Sequence, residues 1–398
     1  MSVSEEEPLS PRAPGVPKRR GKSKKKHTVA TVLMATLLVL GLVTGLSVVF
    51  VYRHLNGNLN ISDGFNQVDD RPEEYGPKQA ISILIMASDT RDGEGNKIDG
   101  ETGAAGSDTT ILLHIAADRS RAYGVSIPRD SLVTRPDCGP DNEIPGGENQ
   151  MWNKAYSVGQ EACTVEQFEQ STGVRVDDFV VLDFNGFKGM VDAVGGVPIC
   201  LPYEIDDSEH GIYLAAGERE IMGEEALDYV RVRAVGSGSD IDRISRQQTF
   251  IASLVNKVVS AGTLTRPDRV VKFLNAATKS LTVSPGLKDI PKLGGLGASL
   301  NGVGLNKVEF ITVPFEYPQE PEFRGRVRWT AEADDLWSRI ARDKPLSKSL
   351  SEKSIRADEA PGSKKEKPSP SASPSGPEAD EEPTQAEIEA ARGKALCA

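Results

Sequence analysis

The sequence is poor in cysteine, histidine and aromatic residues, and each shortage excludes a class of protein. The 398 residues include four cysteines, four histidines and 6% aromatic residues. Four cysteines are too few for a disulfide scaffold, and the absence of a C-x-x-C pair and of an H-E-x-x-H run excludes zinc ribbons and zincins. Hydrophobic residues still make up 38% of the chain. This is enough for one sizeable core or two smaller ones, so disorder along the whole chain is excluded.

Positive charge is scarce outside the N-terminus. The formal net charge is -11, yet the first 27 residues hold eight of the 47 Lys and Arg residues and only three of the 58 acidic residues. The rest of the chain is therefore acidic. A protein body that binds nucleic acid needs a basic face to neutralise phosphates, so nucleic acid is excluded as a partner.

One long apolar run stands near the N-terminus. The 24 residues from Thr28 to Val51 carry no charge, and as a helix they span roughly 36 Å, enough to cross a bilayer. Seven Lys and Arg residues lie directly before this run, whereas Arg53 and His54 follow it. The run is too long for a secretory signal, and a core helix would not explain the basic flank. It predicts a single uncleaved membrane anchor over 28–52 with a cytoplasmic N-terminus.

Composition divides the remaining chain. The basic residues 1–27 form a cytoplasmic arm, and 53–77, polar with Gly and Asn, is predicted to be an extracytoplasmic tether. Residues 78–343 alternate apolar runs with helical patterns and form the folded body. Residues 344–398, rich in Ser, Pro and mixed charge, cannot bury enough surface to offset chain entropy and are predicted to be disordered.

The body reads as alternating strands and helices. Residues 80–86, 109–116 and 122–127 are apolar runs rich in branched side chains, typical of strands buried on both faces. The segments DFVVLDF, NGFKGMVDAV and VPICL within 178–201 predict a strand, a helix and a strand in a β-α-β unit. The pattern predicts an α/β or α+β sandwich.

Two Ser-Asp pairs flank the first two predicted strands. Ser88 and Asp89 end the first strand, and Ser107 and Asp108 begin the second. If these strands are antiparallel neighbours, the two carboxylates meet at one end of the sheet. Carboxylate and hydroxyl oxygens are the ligands of Mg²⁺ sites that also hold water and substrate phosphate. Alternatively these are turn residues, since Ser and Asp are common in turns.

Arginines collect further along the body. Arg231 and Arg233 are two residues apart, so an extended backbone points both to one side, whereas a helix would splay them by about 200°. Arg243 and Gln247 lie one helical turn apart on the next predicted helix, and Arg129 follows the third strand. Guanidinium groups match phosphate oxygens, so such a cluster indicates an anionic ligand. The alternative is a set of salt bridges to neighbouring aspartates.

These motifs together resemble a known family. In order they are ILIMASDTR, GSDTTILLHI, VSIPRDS, WNKAYSVG, TVEQFEQSTGVRVDDFVVLDFNGFKGMVDAVGGVPICL and ALDYVRVRAVGSGSDIDRISRQQ. The stretch, roughly residues 80–260, resembles the LytR-CpsA-Psr family of cell-wall glycopolymer transferases. The resemblance implies an α/β/α sandwich with a central mixed sheet, Mg²⁺ as cofactor and a hydrophobic groove for a lipid. It also implies an extracellular phosphotransferase that moves a glycopolymer from a polyprenyl-pyrophosphate carrier to peptidoglycan and releases polyprenyl phosphate.

The resemblance assigns roles to single residues. It implies that Asp89 and Asp108 hold the metal, with Arg91 a weaker candidate for contact with the pyrophosphate. Asp130 and Arg246 are expected to orient their neighbours. The side chains implied to contact the pyrophosphate oxygens are Arg129, Arg231, Arg233, Arg243 and Gln247.

Two positions depart from the family pattern. Gly106 stands where the family commonly has an arginine, and Met151 where it commonly has a lysine. One phosphate contact is then missing or is supplied by Lys154 or Arg91. The departures favour a second hypothesis, a membrane-tethered binding or scaffold protein with weak catalysis. A third is a phosphatase that uses water in place of the sugar hydroxyl.

The remaining expectations concern the lipid groove and the cysteines. Outside the membrane, Cys138 and Cys163 are expected to form a disulfide across an irregular loop, while Cys200 is expected to be a buried thiol. A further set of apolar side chains either lines the lipid groove or belongs to the core: Phe179, Val181, Phe184, Phe187, Met190, Ile251 and Val255.

Overall fold

The structure is a computed structural model, and the chain divides into two compact units, Met1–Arg53 and His54–Ala398. The described residues are 25–68, 71–74, 76–88, 106–201, 204–208, 211–232, 240–260 and 266–361.

In the first unit the described residues belong to one apolar helix. Helix α1 spans Lys25–Asn58, and its part Val29–Asn58 is long and apolar enough to cross a membrane. The side chains from 29 to 50 are all exposed. Exposed apolar surface costs about 25 cal/mol per Å² in water, a cost that lipid removes. The helix therefore fits the membrane anchor predicted over 28–52.

The second unit contains all the strands that the structure describes. They are β1 (Asn60–Ile61), β2 (Ile81–Ser88), β3 (Ser107–Ile115), β4 (Ala122–Ile127), β5 (Leu132–Arg135), β6 (Gly147–Met151), β7 (Asp178–Leu182), β8 (Val197–Leu201), β9 (Ile205–Asp207), β10 (Ile212–Leu214), β11 (Gly217–Ile221), β12 (Leu281–Val283), β13 (Val308–Thr312), β14 (Phe315–Glu316), β15 (Arg328–Trp329) and β16 (Ile355–Arg356). The helices after α1 are α2 (Lys154–Thr172), α3 (Phe184–Val194), α4 (Gly223–Arg231), α5 (Asp240–Ser260), α6 (Pro267–Ser280), α7 (Ile290–Val303), α8 (Ala331–Ala341) and α9 (Lys348–Ser351).

Eight strands form a mixed central sheet in the order β1-β12-β7-β2-β3-β4-β13-β16. The strands β2, β3 and β4 are antiparallel neighbours, while β7 runs parallel to β2 and β13 parallel to β4. The three strands predicted at 80–86, 109–116 and 122–127 correspond to β2, β3 and β4 and are confirmed.

Helices cover both faces of this sheet. Leu84 and Met86 of β2 pack on one side in a core with α2 and α8. Ile83 and Ile85 of the same strand point to the other side, where α7 covers them. Side chains alternate across a strand, so a strand buried on both faces must be apolar at every position. Each fully buried aliphatic side chain of this kind contributes roughly 1.5–3 kcal/mol. The three layers confirm the α/β/α sandwich.

A smaller core lies beside the main sheet and corrects one prediction. Strand β8 pairs antiparallel with β11 in a separate two-stranded sheet, so the predicted β-α-β unit is wrong although its three elements exist. Asp183 begins α3 by accepting a hydrogen bond from the Gly186 N–H at 2.7 Å, and Gly195 ends it in the left-handed region. The pattern located the elements, but β8 buries its apolar side chains against α3 and α4 instead.

The folded region exceeds its predicted bounds at both ends. Strand β1 lies within the predicted tether 53–77 and pairs parallel with β12. Strand β16 lies beyond residue 343 and pairs antiparallel with β13. Short strands of this kind carry too few residues to show a pattern, and only their neighbours in the sheet make them strands.

The cysteines are disulfide-bonded in the described chain. Cys138 and Cys163 form the predicted disulfide, 25 residues apart in sequence, and closing a loop of this size stabilises a fold by about 3 kcal/mol in the chain-entropy account. Cys200 is buried as expected, but it is disulfide-bonded, so the prediction of a thiol is wrong. The one other cysteine of the sequence, Cys397, lies outside the described residues.

Candidate active site

The predicted site lies where three strands share one edge of the sheet. The antiparallel register of β2 and β3 pairs Ser88 with Ser107, and β4 runs antiparallel to β3 on its other side. The end of β2, the beginning of β3 and the end of β4 therefore meet. Asp108 is the second residue of β3 and Arg129 follows β4 by two residues. The expected antiparallel pairing of β2 with β3 is confirmed.

Asp108 and Arg129 form the central ion pair of this edge. The Arg129 Nη1 donates to the Asp108 Oδ1 at 2.6 Å, and the two side chains remain 34% and 21% exposed for Asp108 and Arg129 respectively. A charge-assisted bond of this length is strong. Because neither side chain is fully buried, a polar ligand can still reach the pair.

Arg243 approaches the same carboxylate from helix α5. Its Nη1 lies 3.5 Å from the Asp108 Oδ2, and its Nη2 lies 3.5 Å from the Asp108 backbone carbonyl oxygen. Arg243 is 2% exposed, and a guanidinium group is stable at such depth only when anions or acceptors surround it. Asp108 thus lies between two arginines that contact different oxygens of its carboxylate.

A second carboxylate lies beside Arg129. Asp130 lies 3.5 Å from the Arg129 Nε and receives a 2.5 Å hydrogen bond from the Arg326 Nη1. The Arg326 contact fixes Asp130 beside the Arg129 guanidinium. The expectation that Asp130 orients its neighbours fits these contacts.

Gln247 links β3 to α4 through both atoms of its amide. The Thr109 Oγ1 donates to the Gln247 Oε1 at 3.3 Å, and the Gln247 Nε2 donates to the Val230 carbonyl at 3.0 Å. Gln247 thereby fixes the end of α4 beside Asp108.

Arg231 is the last residue of helix α4, not part of an extended segment. The prediction that Arg231 and Arg233 point together from an extended backbone is therefore wrong for Arg231. The Arg231 guanidinium carbon lies 5.3 Å from the centre of the Phe184 ring, a cation-π contact that orients the charge. Arg246 donates to the Val232 carbonyl from a position only 1% exposed, as expected for a residue that orients its neighbours.

Three predicted site residues cannot be placed. Asp89, Arg91 and Arg233 lie outside the described residues. Their roles stay predictions.

The two departures from the family pattern lie close to the site. Gly106 directly precedes β3, and Met151 pairs with Leu132, three residues beyond Arg129. Lys154 begins α2 and is exposed, next to Asn153, whose N–H donates to the Arg129 carbonyl at 3.2 Å. Lys154 is thus one residue away from a backbone contact with Arg129.

Sequence reasoning missed Arg326 and Trp152. The Trp152 Nε1 donates to the Thr110 Oγ1 at 3.1 Å, and its N–H donates to the Ser131 carbonyl at 2.9 Å. Trp152 stands within the WNKAYSVG motif and could have been found there. Arg326 carries no local signal because its partner Asp130 is 196 residues away.

The structure describes only part of the ligand set predicted for Mg²⁺. Among the residues that the structure describes, no group of three His, Cys, Asp or Glu side chains is placed to hold a metal ion. Of the two carboxylates implied to hold the metal, Asp108 is described and Asp89 lies outside the described residues. Mg²⁺ commonly takes one or two carboxylates together with water and phosphate oxygens, so this donor chemistry fits a metal that arrives with a phosphate ligand.

The candidate lipid-groove residues do not share one surface. Phe179 and Val181 belong to the core under α2 and α8, whereas Ile251 and Val255 pack on the opposite face. Phe187 packs against the smaller core beside the main sheet. The structure thus separates these residues instead of lining one groove with all of them.

Proteins with known names are similar to this chain in sequence. The protein is 32% identical over 325 residues to the cell wall biosynthesis protein LcpA of Corynebacterium glutamicum, covering 75% of this chain and 61% of the relative. It is 30% identical over 200 residues to TagV of Bacillus subtilis, a polyisoprenyl-teichoic acid–peptidoglycan teichoic acid transferase, covering 49% of this chain and 48% of the relative. The chain thus spans about half to three fifths of the length of these relatives.

Solved structures share the fold. The crystal structure of B. subtilis TagV matches with a TM-score of 0.52 and 25% sequence identity, covering 68% of this chain and 99% of that chain. The profile of the LytR_cpsA_psr family matches residues 52–339, which include every described site residue. The chain belongs to the LytR_cpsA_psr family.

Proposed function

We propose that this protein is a membrane-anchored, extracytoplasmic phosphotransferase that attaches a glycopolymer from a polyprenyl-pyrophosphate carrier to peptidoglycan. The observation that carries the proposal is the position of Asp108 between Arg129 and Arg243. Arginines gathered at a partly exposed carboxylate in an acidic protein form a site for an anion, and guanidinium groups match phosphate oxygens.

The proposed reaction breaks one phosphoanhydride bond and forms one phosphoester bond. An acceptor hydroxyl oxygen of peptidoglycan bonds to the phosphorus that carries the glycan. The bridging P–O–P bond breaks, and polyprenyl phosphate leaves with the bonding electrons. The hydroxyl proton passes to solvent or to a nearby carboxylate. No nucleophile of the protein is required.

The described arginines supply the electrostatic part of this reaction. Negative charge develops on the equatorial and leaving oxygens of the transferred phosphoryl group, and preorganised cations stabilise it. Arg243 is held at depth against β3, and Arg129 is held by its 2.6 Å hydrogen bond to Asp108. Both therefore need little rearrangement when the charge appears. Arg231, Arg233 and Gln247 are proposed to contact the same pyrophosphate.

Asp108, with Asp89, would hold Mg²⁺. The metal would supply positive charge to the pyrophosphate oxygens when bound.

Two relatives support the assignment through what their names say. TagV is named as a transferase of teichoic acid to peptidoglycan, and LcpA as a cell wall biosynthesis protein. Helix α1 supports a membrane location. The basic residues before it support a cytoplasmic N-terminus and an extracellular body. Protease added outside intact cells is expected to digest the body and to leave residues 1–27 protected.

The proposal is tested with the full chain in lipid nanodiscs. The chain is incubated with a polyprenyl-pyrophosphate glycan, Mg²⁺ and peptidoglycan, and lipid phosphate and wall-bound glycan are measured. Transfer predicts that both appear in equal amounts. Release of lipid phosphate with free glycan phosphate and no wall-bound glycan would identify a phosphatase instead. Tight binding without turnover would identify the scaffold hypothesis, which the apolar Met151 beside the site favours.

A further inference from the structure

A groove is lined by residues of β5, the end of α2 and β15, and none of these residues belongs to the candidate active site. Its cavity has a volume of about 440 Å³, and Trp329, Arg328, Gln170, Thr134, Pro136 and Val133 contribute to its walls. Cavities of 300–1,000 Å³ are the usual size for a bound small molecule or a segment of a polymer.

One wall of the groove is a rigid aromatic surface. The Trp329 Nε1 donates to the Ser131 Oγ at 3.0 Å, so its indole ring cannot turn freely. Its ring centre lies 5.9 Å from that of Trp152 and 5.7 Å from that of Trp337. The ring is half-buried, so part of it remains accessible. A fixed and partly exposed indole ring is an anchor that binds at little cost in side-chain entropy.

The rim of the groove carries planar and hydroxylic polar groups. Gln170 and Thr134 are exposed, and the Arg328 guanidinium is held by Glu320 at 3.1 Å and by the Phe323 ring. An indole face beside amide, guanidinium and hydroxyl groups fits a pyranose ring. The C–H face of the sugar packs on the aromatic ring, and its hydroxyls take hydrogen bonds from the rim.

The groove wall begins at Leu132, three residues after Arg129 in the chain. Leu132 begins β5 in the groove wall, and a trans backbone places its Cα within about 11 Å of that of Arg129. Ser131, between them, is the hydrogen-bond partner of Trp329. Arg326, which donates to Asp130, lies two residues before Arg328 of the groove wall. One loop therefore carries both the ion pair with Asp108 and the wall of the groove.

We propose that this groove binds the glycan strand of the peptidoglycan acceptor, an inference that rests on the proposed function. In-line phosphoryl transfer requires the attacking hydroxyl and the leaving lipid phosphate on opposite sides of the phosphorus. Arg243 and Arg129 contact different oxygens of Asp108, so they flank the site. With the donor pyrophosphate held by Arg129, Arg231 and Arg243, the acceptor approaches from the Arg129 side, because the groove wall begins three residues after Arg129 in the chain.

The first test measures transfer by the full chain in nanodiscs at varied donor and acceptor concentrations. Trp329→Ala is expected to raise the KM for the glycan acceptor about 10- to 30-fold, as removal of a central aromatic anchor does. The KM for the lipid-linked donor is expected to stay unchanged, and Trp329→Phe should recover part of the loss. Tyr213→Ala, which removes an exposed aromatic ring on β10 far from the loop in sequence, is the matched control and should leave both constants unchanged.

A second measurement keeps the inference testable if Trp329→Ala fails to fold. Gln170→Ala changes an exposed side chain, so it should fold and should raise the acceptor KM about threefold, the loss of one neutral hydrogen bond. A rise in the donor KM with an unchanged acceptor KM would overturn the acceptor assignment in favour of the donor glycan. Unchanged constants in Trp329→Ala and Gln170→Ala would overturn the groove as a sugar site.

Direct binding separates this inference from the proposed function. A soluble chitotetraose probe, without donor lipid, is titrated against the full chain and followed by indole fluorescence. Saturable quenching that is lost in Trp329→Phe and kept in Arg129→Ala supports the groove even if transfer is never observed. Quenching that is identical in the parent and in Trp329→Phe would contradict it, whatever the transfer assay shows.

Discussion

The two ends of strand β3 carry polar clusters of opposite design. At its beginning, Asp108 is contacted by two arginines and remains partly exposed. Near its end, His114 is 2% exposed and lies between the Ser82 Oγ, 3.0 Å from its Nδ1, and the Asp343 Oδ1, 3.4 Å from its Nε2. Asp343 also accepts a 2.6 Å hydrogen bond from Arg121. One end thus presents cations around an accessible carboxylate, while the other satisfies its groups within the chain.

The difference separates a ligand site from a structural network. The side chains of Ser82, His114 and Asp343 contact one another in the same order as the groups of a hydrolytic triad. Ser82, however, is only 5% exposed, and its hydroxyl already contacts the imidazole. A hydroxyl that substrate cannot reach does not act as a nucleophile. His114 therefore has a structural role in the core.

Disruption of the cluster around His114 and Asp343 is expected to cause the largest change, a loss of unfolding free energy. Asp343→Ala removes the partner of Arg121 and of the Ala117 N–H and leaves the Arg121 guanidinium without that carboxylate. Breaking a buried ion pair costs about 3–5 kcal/mol of unfolding free energy. Urea unfolding measures this loss, and the folded fraction of the variant should transfer glycan at the parent rate. An Asp343→Ala variant that stays stable but loses transfer would show that this cluster belongs to the active site and is not a structural network.

A substitution at the Asp108 end of β3 is expected to lower the rate of transfer and to leave the unfolding free energy nearly unchanged. Arg129→Ala removes a charge-assisted contact at Asp108, which should lower the rate constant of transfer about 10- to 100-fold, or about 1.5–3 kcal/mol. Unfolding free energy should change by less than about 1 kcal/mol because the pair is partly exposed. Single-turnover kinetics and urea unfolding measure the two quantities. Arg121→Ala is the matched control, and equal rates in Arg129→Ala and the parent would remove Arg129 from the site.

Acid should weaken the structural end through Asp343. Burial acts to raise the pKa of Asp343, but hydrogen bonds from His114 and the Ala117 N–H and the charge of Arg121 outweigh it, so the pKa lies below its usual value. A lowered pKa contributes stability above the unfolded pKa, near about 3.9, and this contribution is lost as the pH falls through the folded value. The difference in unfolding free energy between the parent and Asp343→Asn should therefore shrink below about pH 4. A constant difference from pH 7 to pH 3 would contradict this linkage.

The smallest expected effect concerns the charge that the family pattern has and this chain lacks. Met151→Lys restores a cation at the end of β6, close in sequence to Trp152 and Lys154. An exposed charge near an anion contributes at most about 1 kcal/mol, so transfer should rise about threefold. Glu148→Lys, an exposed position at the other end of β6, is the control for general charge. An unchanged or lower rate for Met151→Lys would contradict the expected gain from a cation at this position.

Local pattern predicted the strands around the site and named its charged residues, but it failed where long-range pairing decides structure. The branched runs located β2, β3 and β4 because burial on both faces requires apolar residues at every position. The same pattern placed β8 in the wrong unit, since its partner β11 is chosen by the smaller core. Arg231 was expected in an extended segment and instead ends α4.

The sequence by itself determined the apolar anchor, the buried strands, the Cys138–Cys163 pair and the family resemblance, because each depends on composition or spacing that is local in the chain. Only the tertiary structure decided that Arg243, 135 residues away, reaches Asp108, and that Arg326 holds Asp130 across 196 residues. Such contacts form when the packing of helices on a sheet brings distant residues together, and no local periodicity encodes that packing. The groove beside Trp329 arises in the same way, from strands that meet only in the folded protein.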